Sequence, residues 1–124
     1  ADISTAEKIA LATNENNIAG KTSLNEIISL IANASAVITN DTMAAHAAVA
    51  CNTPAVIIAN GNNYYRFTDY STFGLKNVVT IYPAIFFKQS KNKKTNLLHY
   101  DAVSSDIQTI SAHEVFKSLQ TILP

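Results

Sequence analysis

The chain of 124 residues has a single cysteine and no net charge. One cysteine excludes an intramolecular disulfide framework and is compatible with a reducing compartment. Because 9 basic residues balance 9 acidic ones, nothing in the charge indicates a nucleic-acid partner. Residues 1–15 lack the apolar core of a signal peptide, and no apolar run approaches the length of a membrane span. We therefore expect a cytoplasmic protein.

The composition excludes a disordered chain. Apolar residues make up 48% of the sequence and charged residues only 15%. A chain of this length is expected to form one domain, residues 1–124, around a hydrophobic core. The sequence has no Asp-x-Asp pair and no cluster of histidine and cysteine, so we expect no metal ion.

Residues 36–58 form the most informative stretch of the sequence. Their pattern predicts a strand at Ala36–Thr39, a helix at 42–51 and a second strand at Ala55–Ala59. The polar turn Asn40-Asp41-Thr42 then lies at the carboxyl edge of a parallel sheet, where ligands bind in open α/β folds. A helix N-terminus at that edge favours a phosphate, because its backbone N–H groups are free and its dipole end is positive.

The rest of the chain continues the alternation of helices and strands. Apolar spacing and a Ser23–Glu26 capping box support these elements. They are strands at Asn16–Ala19 and Val78–Tyr82, and helices at 4–13, 24–33 and 111–123. The pattern predicts an α/β fold, with a parallel sheet of about four strands and helices on both faces. Since the chain begins with a helix that needs a preceding strand, we expect it to be a piece of a larger protein.

Gly20-Lys21-Thr22 has the form of the end of a phosphate-binding P-loop. That loop requires a glycine five residues before Gly20, where this chain has Glu15. The sequence therefore favours a structural turn between a strand and a capped helix. Lys21 remains a candidate for directing a positive charge at the ligand edge.

Asp41 and His46 each allow a structural and a functional interpretation. Asp41 could cap the helix by accepting from the N–H groups of Met43 or Ala44, or it could contact a ligand at the sheet edge. His46, one turn into the helix, could be a packed residue or a ligand-binding one. The many alanines of this helix, among them Ala44, predict close packing against the sheet and leave room at its N-terminus.

Two loops add candidates of lower specificity. Gly61–Phe67 follows a strand at the ligand edge, and Arg66 in it could clamp an anion, although the loop could equally be packed down by its aromatic residues. Gln89–Thr95 is predicted to be a basic loop after Phe86-Phe87. A solvated loop is the ordinary interpretation, and an anionic substrate or lipid surface is the other.

Three motifs in register resemble the C-terminal domain of family 9 glycosyltransferases, the ADP-heptose:lipopolysaccharide heptosyltransferases and their relatives. They are AGKTSL at 19–24, TNDT at 39–42 with His46, and NTPAV at 52–56. The resemblance implies an incomplete donor-binding domain of a GT-B fold, Rossmann-like, whose N-terminal acceptor domain is absent. It further implies that Asp41 binds sugar hydroxyls, that Thr42 and the N–H groups of 42–44 hold the pyrophosphate, and that His46 belongs to the donor site.

The chemistry that the resemblance implies is inverting sugar transfer without a metal or other cofactor. The implied donor is a nucleotide-diphosphate sugar, with an ADP-linked sugar as one candidate. The implied acceptor is a glycolipid or oligosaccharide in lipopolysaccharide or related surface glycan synthesis, in the cytoplasm or at the inner membrane face. No catalytic residue is expected in this chain, because the base belongs to the absent domain. Heptosyltransferases usually have glycine where this chain has Met43, which implies an altered approach to the phosphate.

Other interpretations from the sequence stay open. The chain could be a non-enzymatic binding module of the receiver or flavodoxin type, or a degenerate domain used for protein contacts. A receiver requires an early acidic pair, which the sequence lacks. An incomplete sheet also predicts an exposed strand edge, at Asn16–Ala19, through which two copies could pair.

Overall fold

The computed structural model describes residues 3–64, 70–92 and 105–123. Two compact units divide the chain between Leu30 and Ile31. No helix within the described ranges is both long enough and apolar enough to cross a membrane.

The first unit contains helix α1, Ile3–Thr13, and most of helix α2, Leu24–Asn33. The predicted capping box of α2 is confirmed, because the backbone N–H and the hydroxyl of Ser23 both donate to Glu26 Oε2 at 2.7 Å. These two hydrogen bonds hold the pKa of Glu26 below its usual value. Helix α2 therefore begins where the sequence predicts it.

The predicted strand at Asn16–Ala19 does not form. Asn17 Oδ1 accepts a hydrogen bond of 2.9 Å from the N–H of Ala19, and the N–H of Lys21 donates to the carbonyl of Ile18 at 3.0 Å. These local bonds fold the segment into a turn, which Gly20 completes with a φ of +75°. The strand edge expected there for pairing between two copies is therefore absent from this segment.

The second unit is built on a parallel sheet. Its strands are β1 (Val37–Asn40), β2 (Ala55–Ile58) and β3 (Val78–Ile81), in the order β1-β2-β3. Val37 lies beside Ala55 and Ala55 beside Val78, so the three strands begin and end level with one another. The parallel α/β fold is confirmed, with three strands in the described residues where about four were expected.

Helices α3 (Met43–Ala50), α4 (Ala84–Asn92) and α5 (Ala112–Ile122) accompany this sheet. Helix α5 carries a Ser111–Glu114 capping box and is the terminal helix that the sequence predicts. Helix α4 corrects the prediction of a loop from residue 89, because the helix that starts after Pro83 continues to Asn92. Residues 93–95 of that predicted loop lie outside the described residues.

The core of the second unit lies on both faces of β2. Ala55, Val56 and Ile57 have no exposed surface, and since side chains alternate along a strand, both faces are covered. Helix α3 packs against β1 and β2, with Ala45 and Ala48 also fully buried. The small alanine side chains allow this close approach, as the sequence predicts.

Candidate functional site

The polar turn after β1 continues the sheet by one residue. The N–H of Asp41 donates to the carbonyl of Ile58 at 3.1 Å, and the N–H of Ala59 donates to Ile81 at 3.0 Å. The segments that follow β1 and β2 therefore leave the sheet side by side, at its carboxyl edge. This is the edge at which ligands bind in parallel sheets.

The N-terminus of α3 has no side-chain cap. Its N-cap residue is Thr42, in extended conformation, and the Thr42 side chain makes no capping hydrogen bond. Thr42 Oγ1 instead lies 3.3 Å from Thr39 Oγ1. The interpretation of Asp41 as the N-cap residue is thus wrong, because Thr42 holds that position.

Asp41 is held by the loop that follows β2. Asn63 Nδ2 donates to Asp41 Oδ2 at 2.9 Å, across 22 residues of chain. The loop reaches this position through a sharp turn, in which Gly61 is buried with a φ of +97°. Asn60 Oδ1 accepts from the N–H of Asn62 at 3.0 Å and stiffens the same turn.

Tyr64 anchors the loop into an aromatic cluster. Its ring lies 5.1 Å from those of Tyr82 and Phe86 and 6.0 Å from that of Phe87, measured between centroids. Phe86 is only 3% exposed and Phe87 is 44% exposed, so the cluster extends from the core to the surface. Of the two interpretations of this loop, packing by aromatic residues is therefore correct for Tyr64, and the same packing places Asn63 at Asp41.

His46 contacts a residue from farther along the chain. Its Nδ1 is hydrogen-bonded to the hydroxyl of Tyr70, the first residue of a 3₁₀ turn at Tyr70–Phe73. Partial burial raises the pKa of Tyr70, and the negative charge of Asp41 raises it further. Asp41, His46, Asn63 and Tyr70 thus form one group, which we call the Asp41 cluster.

Residues 1–100 match the model of glycosyltransferase family 9 (heptosyltransferase). The chain belongs to this family. A segment of 42 residues is 52% identical to lipooligosaccharide heptosyltransferase 2 of Haemophilus influenzae (strain ATCC 51907 / DSM 11121 / KW20 / Rd). This segment covers 34% of the chain and only 12% of that relative's length. No solved structure matches the chain.

In this family 9 chain, five of the candidate residues from the sequence lie in the Asp41 cluster or at the start of α3. Asp41 and His46 belong to the Asp41 cluster, and Thr42, Met43 and Ala44 form the adjacent start of α3. Met43 is 47% exposed. At this position the family resemblance leads us to expect glycine.

The structure leaves the roles of the two basic candidates untested. Lys21 belongs to the first unit, where its Nζ donates to the carbonyl of Asn17 at 2.9 Å. Arg66 lies outside the described residues. Within the described ranges, no group of three or more histidine, cysteine, aspartate or glutamate side chains is arranged to hold a metal ion.

Two members of the Asp41 cluster were missed from the sequence. Asn63 stands in the loop Gly61–Phe67 that the sequence marks as functional, so its proximity to Asp41 could have been inferred from the sheet edge. Tyr70 has no such signal, because its contact with His46 spans 24 residues and depends on the path of the loop.

Proposed function

We propose that this chain forms part of the donor-binding domain of a metal-independent, inverting glycosyltransferase that uses a nucleotide-diphosphate sugar. The observation that carries the proposal is the Asp41 cluster, which lies at the carboxyl edge of the sheet beside the start of α3, where the Thr42 side chain makes no capping hydrogen bond. Membership of family 9 supports sugar transfer as the activity of the longer protein. The named relative is a lipooligosaccharide heptosyltransferase, which supports synthesis of lipopolysaccharide or a related surface glycan. A location in the cytoplasm or at the inner membrane face is proposed from the family resemblance alone.

The start of α3 would bind the pyrophosphate. Backbone N–H groups at Met43 and Ala44, with the Thr42 hydroxyl beside them, suit phosphate oxygens, and the positive end of the helix dipole adds to their attraction. His46 would donate a further hydrogen bond. Lys21 and Arg66 are proposed, from the family resemblance alone, to contribute positive charge.

Asp41 would bind hydroxyl groups of the sugar. A carboxylate accepts hydrogen bonds and repels phosphate, so it suits the sugar end of the donor and not the diphosphate. The hydrogen bond from Asn63 fixes one carboxylate oxygen and therefore the orientation of the whole group. Asp41 would in this way distinguish a nucleotide sugar from a bare nucleoside diphosphate.

The proposed reaction is a displacement at the anomeric carbon. An acceptor hydroxyl, deprotonated by a base outside this chain, forms the new glycosidic bond while the bond from the anomeric carbon to the phosphate oxygen breaks. The electron pair of that bond leaves with the nucleoside diphosphate. N–H groups and a helix dipole fixed at the departing oxygens stabilise this charge as it develops. We expect the 124-residue chain by itself to bind the donor and to transfer no sugar.

Calorimetric titration of the 124-residue chain tests this proposal. ADP, UDP and GDP are titrated beside ADP-glucose, UDP-glucose and GDP-mannose, for the wild type and for Asp41→Ala. We expect binding of at least one nucleotide, and a loss of about tenfold in nucleotide-sugar affinity in the variant with little change for the bare nucleotide. No binding of any nucleotide, or nucleotide-sugar binding that ignores the substitution, would overturn the assignment.

A further inference from the structure

We propose that Asn60 is a site of spontaneous deamidation, and that its conversion to a charged residue weakens the donor-binding edge of the sheet. Asn60 is the only asparagine of the sequence that a glycine follows. Glycine has no side chain to shield its peptide nitrogen, which is the attacking atom in this reaction. The modification itself does not depend on the proposed function above, whereas its effect on ligand binding rests on that function.

The turn at Asn60 brings the side-chain amide towards that nitrogen. Asn60 Oδ1 accepts a hydrogen bond of 3.0 Å from the N–H of Asn62. The ring that this bond closes contains both Cγ of Asn60 and the peptide nitrogen of Gly61, which are the two atoms that must join. The main-chain carbonyl of Asn60 is also held, by the N–H of Ser105 at 2.9 Å. The fold therefore supplies part of the ordering that the attack requires.

The same hydrogen bond assists the attack on the amide carbon. Negative charge develops on Oδ1 as the nitrogen of Gly61 approaches Cγ. The N–H of Asn62 is directed at this oxygen and stabilises the charge, as an oxyanion donor does. Gly61 is buried, but Asn60 is half-buried and Asn62 is exposed, so water and hydroxide reach the turn.

The conversion consumes only water. The peptide nitrogen of Gly61 gives its proton to hydroxide and bonds to Cγ of Asn60. The bond from Cγ to Nδ2 breaks, and ammonia leaves with a proton taken from water. Water then opens the succinimide ring. Cleavage between Cγ and the ring nitrogen gives aspartate, and cleavage between the main-chain carbonyl carbon and that nitrogen gives isoaspartate.

Both products alter the carboxyl edge of the sheet. Each places a new carboxylate on the segment that follows β2, beside the segment that carries Asp41, and this charge repels a diphosphate. Isoaspartate also lengthens the main chain by one carbon just before Gly61, in the turn that brings Asn63 to Asp41. The converted chain would therefore orient Asp41 less firmly.

The first experiment measures the modification without a ligand. The folded 124-residue chain is incubated at mildly alkaline pH, peptide mapping by mass spectrometry follows every asparagine, and enzymatic methylation identifies isoaspartate. We expect Asn60 to convert about tenfold faster than any other asparagine. Earlier conversion of another asparagine, or an unchanged Asn60, overturns the proposal.

A pair of variants tests the contribution of the turn. Asn62→Pro removes the N–H that donates to Oδ1 and should slow the conversion of Asn60 about threefold. Asn62→Ala is the matched control, because it keeps this N–H and should convert at the wild-type rate. Equal rates in the two variants overturn the role of Asn62. The comparison among the asparagines of the wild type decides the site itself even if Asn62→Pro does not fold.

The second experiment measures binding of ADP and ADP-glucose by calorimetry, before and after incubation. We expect the converted wild type to bind ADP-glucose about tenfold more weakly than the fresh protein. Asn60→Ser is the matched control, because a serine hydroxyl accepts from Asn62 in a similar turn and cannot deamidate. Undiminished affinity in the converted wild type, or an equal loss in the incubated Asn60→Ser variant, overturns the effect on binding. If the fresh proteins bind no nucleotide while Asn60 converts first, the proposed function fails and the modification site stands.

Discussion

Asn63 donates a hydrogen bond of 2.9 Å to the carboxylate of Asp41, which joins the segments that follow two neighbouring strands. The bond orients a charged group that is partly open to solvent. It also ties the Gly61 turn to the start of α3. The proposed donor-binding role of Asp41 would therefore depend on a residue that need not contact the ligand.

Replacement of Asn63 by alanine is expected to weaken nucleotide-sugar binding. The carboxylate of Asp41 loses its fixed orientation, and we expect a loss of about fivefold for the sugar nucleotide and less than about twofold for the nucleoside diphosphate. Asn77→Ala is the matched control. The Asn77 amide, just before β3, donates to Asn52 at the edge of the sheet opposite the carboxyl edge. Calorimetry that finds the two variants equally impaired would contradict the role of Asn63.

Met43→Ala is expected to strengthen nucleotide binding. Met43 is the first residue of α3, and its long side chain stands beside the N–H groups proposed to hold the pyrophosphate. Alanine removes that bulk without the helix penalty of glycine, and we expect ADP affinity to rise about threefold. Phe116→Ala, which trims another exposed apolar residue, should leave ADP affinity unchanged. A fall in affinity for Met43→Ala would mean that Met43 contacts the ligand.

Thr53→Val is expected to lower the free energy of unfolding by about 1 kcal/mol. The buried hydroxyl of Thr53 donates to the carbonyl of Ile31 at 3.0 Å, and valine keeps the shape without the donor. The loss stays moderate because that carbonyl also accepts from the N–H of Ala34. Thr121→Val removes a similar hydroxyl-to-carbonyl bond at an exposed position, and urea unfolding should give it a smaller effect.

The capping box of α5 predicts a pH dependence of stability. Hydrogen bonds from the backbone N–H and the hydroxyl of Ser111 lower the pKa of Glu114 from 4.5. A carboxyl group with a lower pKa in the folded state stabilises the fold above its unfolded pKa, and this contribution is lost as the pH falls through the folded value. Urea unfolding should therefore show that, between about pH 6 and pH 3, the free energy of unfolding falls less in Glu114→Gln than in the wild type.

The control for this pH series is Glu15→Gln. It removes the same charge at an exposed residue outside both capping boxes. Its unfolding free energy should follow the wild-type pH dependence. If the free energy of unfolding depends less on pH in both variants, the effect comes from net charge and not from the hydrogen bonds of Ser111.

The β1–α3–β2 part of the second unit could be predicted because its sequence signals are local. The apolar runs of β1 and β2, the polar turn at Asp41 and the alanines of α3 each specify their element without distant partners. The segment Asn16–Ala19 failed for the opposite reason. Its two apolar residues needed a neighbouring strand, and the side chain of Asn17 offered the backbone a turn instead.

Helix α4 and part of the Asp41 cluster were missed for related reasons. The polar second half of α4 resembles a loop in sequence, although Pro83 and the buried Phe86 fix its start. In the site, the sequence indicates the sheet edge and the family but cannot indicate side-chain contacts across 22 or 24 residues. The contact of Asn63 with Asp41 depends on the path of its loop, which is set by the packing of Tyr64 and by the conformation of Gly61.

The hydrogen bond from the N–H of Asp41 to the carbonyl of Ile58 couples the candidate site to the core of the sheet. It is the last bond of the ladder between β1 and β2, and it fixes the backbone of the turn through the most buried strand of the sheet. The amide of Asp41 should therefore exchange its hydrogen about as slowly as the core. Substitutions around Val56 and Ile57 would then reduce ligand affinity from a distance, by loosening the residue that we propose binds the sugar.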